Sequence, residues 1–309
     1  VNSGRGVTMT HIGDRWRVTR EWPEALRPYV HSYTGYWDSA ASPFRARIVP
    51  TGRAVVLISL GEPFAQVHRV AGGGPELSVV GSLVGGLEDG PRIADHPGGQ
   101  EAIRLELSPL GAYRLFAVDM RELTNRVVEL TEILGPRAGQ LVERMSATRD
   151  WGTRFDLLDA ALLTRLGEGP EPAPEVGRAW QLLSRSGGTI PVARIAQDIG
   201  WSHGYLVRKF TQQVGLTPKM SARVLRFHRA MGLMIRGPVD LGAVTAACGF
   251  YDQAHLNREF RALAAITPGQ LVAARVTEGA VSLLPEVPGF PGAAEPRSNS
   301  SKPVAALAR

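Results

Sequence analysis

Short apolar runs dominate the first third of the chain, and apolar residues at three- and four-residue spacing dominate the remainder. Arg45-Ala46-Arg47-Ile48-Val49, Ala54-Val55-Val56-Leu57-Ile58-Ser59-Leu60, Gln66-Val67-His68-Arg69-Val70 and Ala102-Ile103-Arg104-Leu105-Glu106-Leu107 are separated by Pro50-Thr51-Gly52, Gly61-Glu62-Pro63 and Gly72-Gly73-Gly74. Such runs between turn residues predict strands, and many short strands favour a barrel or sandwich. Gly85, Gly86, Gly98 and Gly99 read as further turns, with the lining of a binding crevice as the alternative. Residues 1 to about 15 read as a loose leader, and Arg17 to Trp37 shows no clean period.

After Asp119 the period changes. Leu123, Val127, Leu130 and Leu134, then Leu141 and Met145, then Phe155, Leu158, Ala161, Leu162 and Leu166 describe three short amphipathic helices, the first broken from the second by Gly135-Pro136. The segment 167–174 is too rich in proline and glycine for either regular element and reads as an interdomain linker. A helix from Glu175 to about Ser186 comes next, and Ser221 to Ile235 reads as a connecting helix stopped by Gly237-Pro238. The expected fold class is α+β, with a β-rich barrel or sandwich and following helices over 16–166 and an all-α domain over 175–276. Residues 277–309 are expected to form a flexible tail with at most a short docked segment around Val281 to Leu284.

The all-α part contains an internal repeat. Ile195-Ala196-Gln197-Asp198-Ile199-Gly200-Trp201-Ser202 precedes Leu206, Arg208, Phe210 and Gly215-Leu216-Thr217-Pro218. Val244-Thr245-Ala246-Ala247-Cys248-Gly249-Phe250 precedes Leu256, Arg258, Phe260 and Ala265-Ile266-Thr267-Pro268, with one residue added after Gly249. Gly200 and Gly249 can take the left-handed turn that ends a first helix. Ser202 and Asp252 can cap the next helix, and Leu206/Phe210 and Leu256/Phe260 share an i,i+4 face that packs on the helix before. This is a duplicated helix-turn-helix, whose second helix can enter a DNA major groove.

Composition and charge narrow the classes. The chain has 309 residues, 44% hydrophobic and 21% charged, as in a globular protein. Its one cysteine, Cys248, excludes an intrachain disulfide, a thiolate zinc cluster and a cysteine-held iron–sulfur site. No apolar run approaches the roughly 20 residues that span a bilayer, so a cytoplasmic location without membrane contact is expected. The net charge of +6 is unevenly placed. Between Gly187 and Val276 there are eleven Lys or Arg against four Asp or Glu, while the remainder has 24 against 25. A basic repeat domain beside a neutral one points to a polyanion partner.

The repeat, and above all Cys248-Gly249-Phe250-Tyr251-Asp252-Gln253-Ala254-His255-Leu256-Asn257-Arg258-Glu259-Phe260 with Thr267-Pro268, resembles the AraC/XylS family of transcriptional regulators over roughly Thr189 to Arg275. The segment from Arg27-Pro28-Tyr29 through Val49-Pro50-Thr51-Gly52 looks like the N-terminal domain of a subgroup of these regulators. The resemblance implies a seven-helix DNA-binding domain with two helix-turn-helix units, joined to a sensor or dimerisation domain. The matching recognition positions are Gly204, Val207 and Arg208 in the first unit and Gln253, Ala254, Asn257 and Arg258 in the second. Ala265 stands where the family usually has glycine.

Among these, Arg208 and Arg258 can donate twice to guanine O6 and N7, and Gln253 or Asn257 can pair with an adenine edge. His203, Lys209, Lys219, Arg223, Arg226, Arg229, His255 and Arg261 are further DNA-contact candidates, with surface or hydrogen-bonding roles as the alternative. Ala196, Gly200, Leu206, Phe210, Pro218, Gly249, Phe250, Leu256, Phe260 and Pro268 are expected to build the two units, with Trp201 supporting the first turn. The expected function is sequence-specific reading of double-stranded DNA by a nucleoid-associated transcription regulator, without a cofactor, metal or catalytic residues. RNA polymerase, a second copy of the chain docked through the helices of Asp119 to Leu166, and a small-molecule effector are candidate partners. The alternatives are a protein-binding scaffold using those helices, and a cupin-like sensor or enzyme with an accessory DNA-binding domain. In the latter, His68, Glu88, Asp95 and His96 would supply metal ligands, at spacing more typical of turn or surface residues. DNA alkyl transfer by Cys248 is disfavoured by its place in the repeated turn.

Overall fold

Leu105 and Leu107 alternate with half-buried Arg104 and Glu106, and this period of two places β10 (Glu101–Leu107) at the centre of a sheet. On one side it pairs antiparallel with β3 (Val30–Asp38), and on the other with β5 (Ala54–Ser59). The computed structural model describes residues 6–12, 15–38, 44–61, 64–69, 75–96, 99–235, 240–273 and 283–285. Adding β1 (Thr8–Ile12), β2 (Arg15–Thr19), β8 (Leu83–Gly85) and β11 (Val127–Glu129) gives a seven-stranded sheet ordered β1-β2-β3-β10-β5-β8-β11. A hairpin joins β6 (Phe64–Arg69) to β7 (Pro75–Val80). The remaining sheet places β4 (Phe44–Ile48) between β9 (Arg92–His96) and β12 (Leu283–Pro285).

Several expectations change here. The leader contains β1, and the unassigned stretch 17–37 supplies most of β2 and β3, because its aromatic residues stack across strands. The helix expected over Leu123 to Leu134 is instead a 3-10 turn (Met120–Leu123), β11 and the short helix α2 (Leu130–Leu134). Asn125 turns left-handed (φ 57°) and donates its N–H to the Leu87 carbonyl, so the backbone pairs with the sheet rather than with itself. Helix α1 (Pro109–Phe116) had no apolar period to announce it; Ser108 caps it by accepting the Gly111 N–H, and proline starts it. Gly86 lines neither turn nor crevice: a β-carbon there would lie 1.9 Å from the Leu123 carbonyl oxygen, so glycine is what lets the two backbones meet.

Helix α4 (Trp151–Glu168) stacks Trp151 and Phe155 on Trp37 and Tyr33 of β3, α3 (Pro136–Ser146) packs on α4, and three buried arginines tie the pair down. Arg20 reaches Asp156 and Asp159 at 2.6 Å each, and Tyr33 donates its hydroxyl to Asp159 at 2.8 Å. Arg154 pairs with Glu101 at 2.6 Å and donates to the Met145 and Thr148 carbonyls. Arg114 donates to the Leu166 carbonyl near the end of α4. Helix α4 runs into the expected linker as far as Glu168, and the rest is packed: a β-carbon on Gly169 would strike the Arg114 carbonyl, and Ala173 donates to Gln213 Oε1.

The remaining helices are α5 (Pro174–Arg185), α6 (Val192–Asp198), α7 (His203–Val214), α8 (Pro218–Ile235), α9 (Leu241–Ala247), α10 (Gln253–Ala264) and α11 (Pro268–Ala273). One continuous apolar core runs from Val18 and Leu26 through Phe155 and Leu162 to Phe210, Phe227 and Phe260. The Gly237-Pro238 stop of α8 lies outside the described residues.

Asp159 is the only buried carboxylate facing both Arg20 and Tyr33 among the described contacts. Asp159→Ala is therefore expected to cost about 3–5 kcal/mol by leaving a buried guanidinium under-compensated. Tyr33→Phe should cost about 1 kcal/mol. Urea unfolding of both variants checks this; equal losses would mean that Asp156 alone satisfies Arg20.

Candidate nucleic-acid interface

Each helix-turn-helix is built by the same local chemistry. In the first, α6 ends at Gly200 (φ 72°) and the Ser202 hydroxyl accepts the Tyr205 N–H at 3.3 Å, starting α7. In the second, α9 ends at Gly249 (φ 70°) and the Asp252 carboxylate accepts the His255 N–H at 2.6 Å, starting α10. Leu206, Phe210, Leu256 and Phe260 are fully buried, Ala196 and Phe250 nearly so, and Trp201 is half-buried against the core. Pro218 and Pro268 begin α8 and α11, where the Thr217 and Thr267 hydroxyls accept the first free N–H groups. Phe227 of the connecting helix meets Phe260 edge-on at 4.9 Å.

Packing these faces inward leaves the N-terminal halves of α7 and α10 in solvent. His203, Gly204, Tyr205 and Arg208 are exposed on α7, while Val207 and Lys209 are half-buried, with Lys209 donating to Gln212. Gln253, Ala254, Arg258 and Arg261 are exposed on α10. Asn257 donates its amide to the Gln253 carbonyl at 2.9 Å, which leaves its oxygen as the freer group. His255 is held within the turn: its Nδ1 accepts the Tyr251 N–H, its ring meets Phe250 edge-on, and Nε2 lies 3.9 Å from Glu259.

The arginines of α8 do not act alike. Arg223 donates Nε to both Glu259 oxygens, at 3.0 and 3.2 Å, so it joins α8 to α10. Arg226 is half-buried with its Nε enclosed, whereas Lys219 and Arg229 are exposed. Two tyrosines outside the expected set also reach solvent. Tyr251, the residue added in the second copy, is 92% exposed beside the start of α10. Tyr205 lies outside the Leu206/Phe210 face, three residues before Arg208, and that spacing is the signal by which the sequence could have shown it.

The C-terminal ends of α7 and α10 are held by the β-rich part of the chain. The Thr124 hydroxyl lies 2.9 Å from the Gly215 carbonyl, closer than its own-turn neighbour Met120 O at 3.2 Å. Arg47 of β4 donates to the Ala264 and Ala265 carbonyls at 3.2 Å each. Gly215 and Ala265 occupy the same position in the two repeats, both with positive φ. Between these grips the turn at Gly52 packs on Val224 and Leu225 of α8. There burial, reinforced by the Arg53 charge, holds His228 down to about 4, so it is neutral at neutral pH. Burial alone would raise Glu106, but Arg104 and Arg53 outweigh it and hold the carboxylate ionised.

No group of three or more His, Cys, Asp or Glu side chains is placed to hold a metal among the described residues. Glu88 pairs with Arg92 at 2.7 Å, and the side chains of His68, Asp95 and His96 lie outside the described residues. Cys248 is buried in its turn, and burial pushes its thiol up, away from the thiolate that a nucleophile needs. No described helix is long and apolar enough to cross a membrane.

Comparison with known proteins matches residues 195–274 to a family described as "Helix-turn-helix domain" and residues 23–129 to a "Domain of unknown function (DUF6597)". An uncharacterized HTH-type transcriptional regulator of Bacillus subtilis (strain 168), YbfI, is 32% identical over 97 residues, covering 30% of this chain; the match spans 34% of that relative's length. Among solved structures, an AraC-type DNA-binding domain-containing regulator from Chromobacterium violaceum is 28% identical over 34% of this chain and 96% of its own, with a TM-score of 0.32. Unsaturated fatty acid bound ToxT from Vibrio cholerae strain SCE256 is 10% identical over 84% of this chain and 100% of its own, with a TM-score of 0.45. The matched residues hold both copies of the repeat, with their glycine turns and helix caps: the chain carries a helix-turn-helix domain of the AraC type at residues 195–274.

Proposed function

We propose that the protein is a sequence-specific, double-stranded DNA-binding regulator of transcription whose β-rich N-terminal part sets how its two reading helices are presented. The observation that carries this reading is the division of α7 and α10 into a free N-terminal half and a held C-terminal end. The free halves bear Arg208, Gln253 and Arg258, the groups suited to guanine and adenine edges. Lys219, Arg229 and Arg261 are exposed cations suited to phosphate, whereas Arg223, His203 and His255 divide differently: Arg223 and His255 serve the packing and His203 is exposed. A domain of 11 Lys and Arg against four acidic residues gives the counterion-release term that draws the two faces to DNA.

Holding the helix ends serves reading directly. Two helices read successive grooves only if their separation is fixed, and fixing it in the free protein avoids ordering cost on binding. Thr124 and Arg47 supply that constraint from outside the domain, so whatever shifts the N-terminal sheets shifts both helices. A small-molecule effector, a second copy of the chain or RNA polymerase would act by biasing this arrangement.

Two measurements test this. In mobility shifts on a site selected from random DNA, Gln253→Ala and Arg258→Ala should each lose about 1–3 kcal/mol of affinity for that site while random-DNA binding changes little. Equal loss on both DNAs would remove their base-reading role. The paired variant Thr124→Val/Arg47→Met should weaken binding to the full selected site roughly tenfold and leave either half-site within about twofold, since only the relation between the helices is loosened. An unchanged ratio of full-site to half-site affinity would exclude the constraint.

A further inference from the structure

The first reading helix is poor in hydrogen-bonding groups. Gly204 offers no side chain and Val207 no polar atom, so the exposed half of α7 presents His203, Tyr205 and Arg208. Arg208 stands apart from the other arginines of the domain that are held by carboxylates: Arg178 is paired with Asp198 and Arg223 with Glu259, while no carboxylate pairs with Arg208 among the described residues. Its guanidinium instead lies 5.0 Å from the centroid of the Tyr205 ring. Tyr205 is itself braced, since the Trp201 ring meets it edge-on at 4.7 Å with an interplanar angle of 86°. Trp201 packs against the core. A ladder of three side chains thus runs from the core, through a turn residue, to a charged tip in solvent.

A ring face can orient a guanidinium without occupying its donors. A carboxylate would take the N–H pairs that guanine O6 and N7 require, whereas the attraction to a π face leaves the planar fork available. It also restricts a long side chain that would otherwise lose its rotamer freedom on binding. The exposure of Tyr205, a large side chain turned away from the buried Leu206/Phe210 face, has this contact as its structural consequence.

We infer that Tyr205 is a positioning residue for specificity: it holds Arg208 ready for one guanine, and this pair gives the first helix-turn-helix its sequence preference. The inference rests on the proposed DNA-reading function and deepens it. Its ring, not its hydroxyl, does the positioning.

The test uses the whole 309-residue chain and the site it selects from random DNA, with fluorescence anisotropy on that site, on random DNA, and on the site carrying 7-deazaguanine in place of each guanine in turn. The wild-type chain should lose roughly tenfold at one guanine of the first half-site when N7 is removed. Tyr205→Phe should behave like wild type. Tyr205→Leu, which keeps apolar bulk without a ring face, should lose about five- to tenfold on the selected site, keep its random-DNA affinity, and no longer distinguish 7-deazaguanine at that position. Arg208→Ala should be equally blind there, and Tyr205→Leu should add nothing to it. If Tyr205→Leu retains the wild-type response to 7-deazaguanine, or weakens binding equally in the Arg208→Ala background, the positioning role is overturned while the regulator reading stands. If the wild-type chain selects no sequence at all, both fall together.

Discussion

The structure depends on where the second helix of each helix-turn-helix ends. A helix C-terminus leaves carbonyls without partners inside the helix, and burying such an end requires a donor from elsewhere. In both repeats that donor comes from the β-rich part of the chain: the Thr124 hydroxyl for Gly215, and the Arg47 guanidinium for Ala264 and Ala265. The unmet valence of two helix ends thereby becomes the joint between two halves of the molecule. The continuous apolar core on either side of that joint supplies its area, but the hydrogen bonds supply its register, because apolar contact is non-directional.

The same logic runs through the N-terminal part. Arg20, Arg114 and Arg154 are buried, and each joins separate segments: Arg20 takes carboxylates of α4, Arg114 a carbonyl near the end of α4, and Arg154 links Glu101 of β10 to the carbonyls just before its own helix. Planar, multi-donor side chains are suited to such junctions, where several acceptors converge from different directions. The first α4 residue, Trp151, packs its ring into the space left by Gly35 of β3, where a β-carbon would lie 2.1 Å from the ring. Helix α4 is therefore fixed at its start by an aromatic contact and along its length by charge, and α1 carries that fixation to the helical domain through Arg114 and the packed segment after Glu168.

How much of this could be read from the sequence divides along a physical line. The repeat was legible because each device in it is local: Gly200 and Gly249 end a helix, Ser202 and Asp252 cap the next, and Leu206/Phe210 and Leu256/Phe260 lie one turn apart. The sheet was legible where strands are buried runs, as at Ala54 to Ser59, and illegible where pairing alone decides, as in β1, β8 and β11. The pattern Leu123, Val127, Leu130 and Leu134 satisfied a helical period and failed as a helix, because Asn125 takes a left-handed turn that carries the backbone into pairing with β8. In the candidate site, residue types were legible but their availability was not. Arg223 and His255 look like DNA-facing groups in the sequence and are engaged within the fold, whereas Tyr205, signalled only by its spacing to Arg208, and Tyr251 stand exposed.

Ala265 joins these levels. Its left-handed backbone, φ 52°, is a conformation costing an alanine roughly 1–2 kcal/mol that Gly215 in the first repeat does not bear. The two grips differ in the matching sense. Gly215 meets a neutral hydroxyl, but the strained copy meets a cation, whose charge suits the negative end of a helix dipole. The strand that carries Arg47 is in turn paired on its far side with Leu283–Pro285, in a register that sets Leu284 opposite Arg47. The segment following the helical domain thus returns to the strand that holds the end of α10. The departure from glycine thus stands at a helix end whose carbonyls are held by a residue more than 200 positions away, and the strand bearing that residue pairs with Leu283–Pro285.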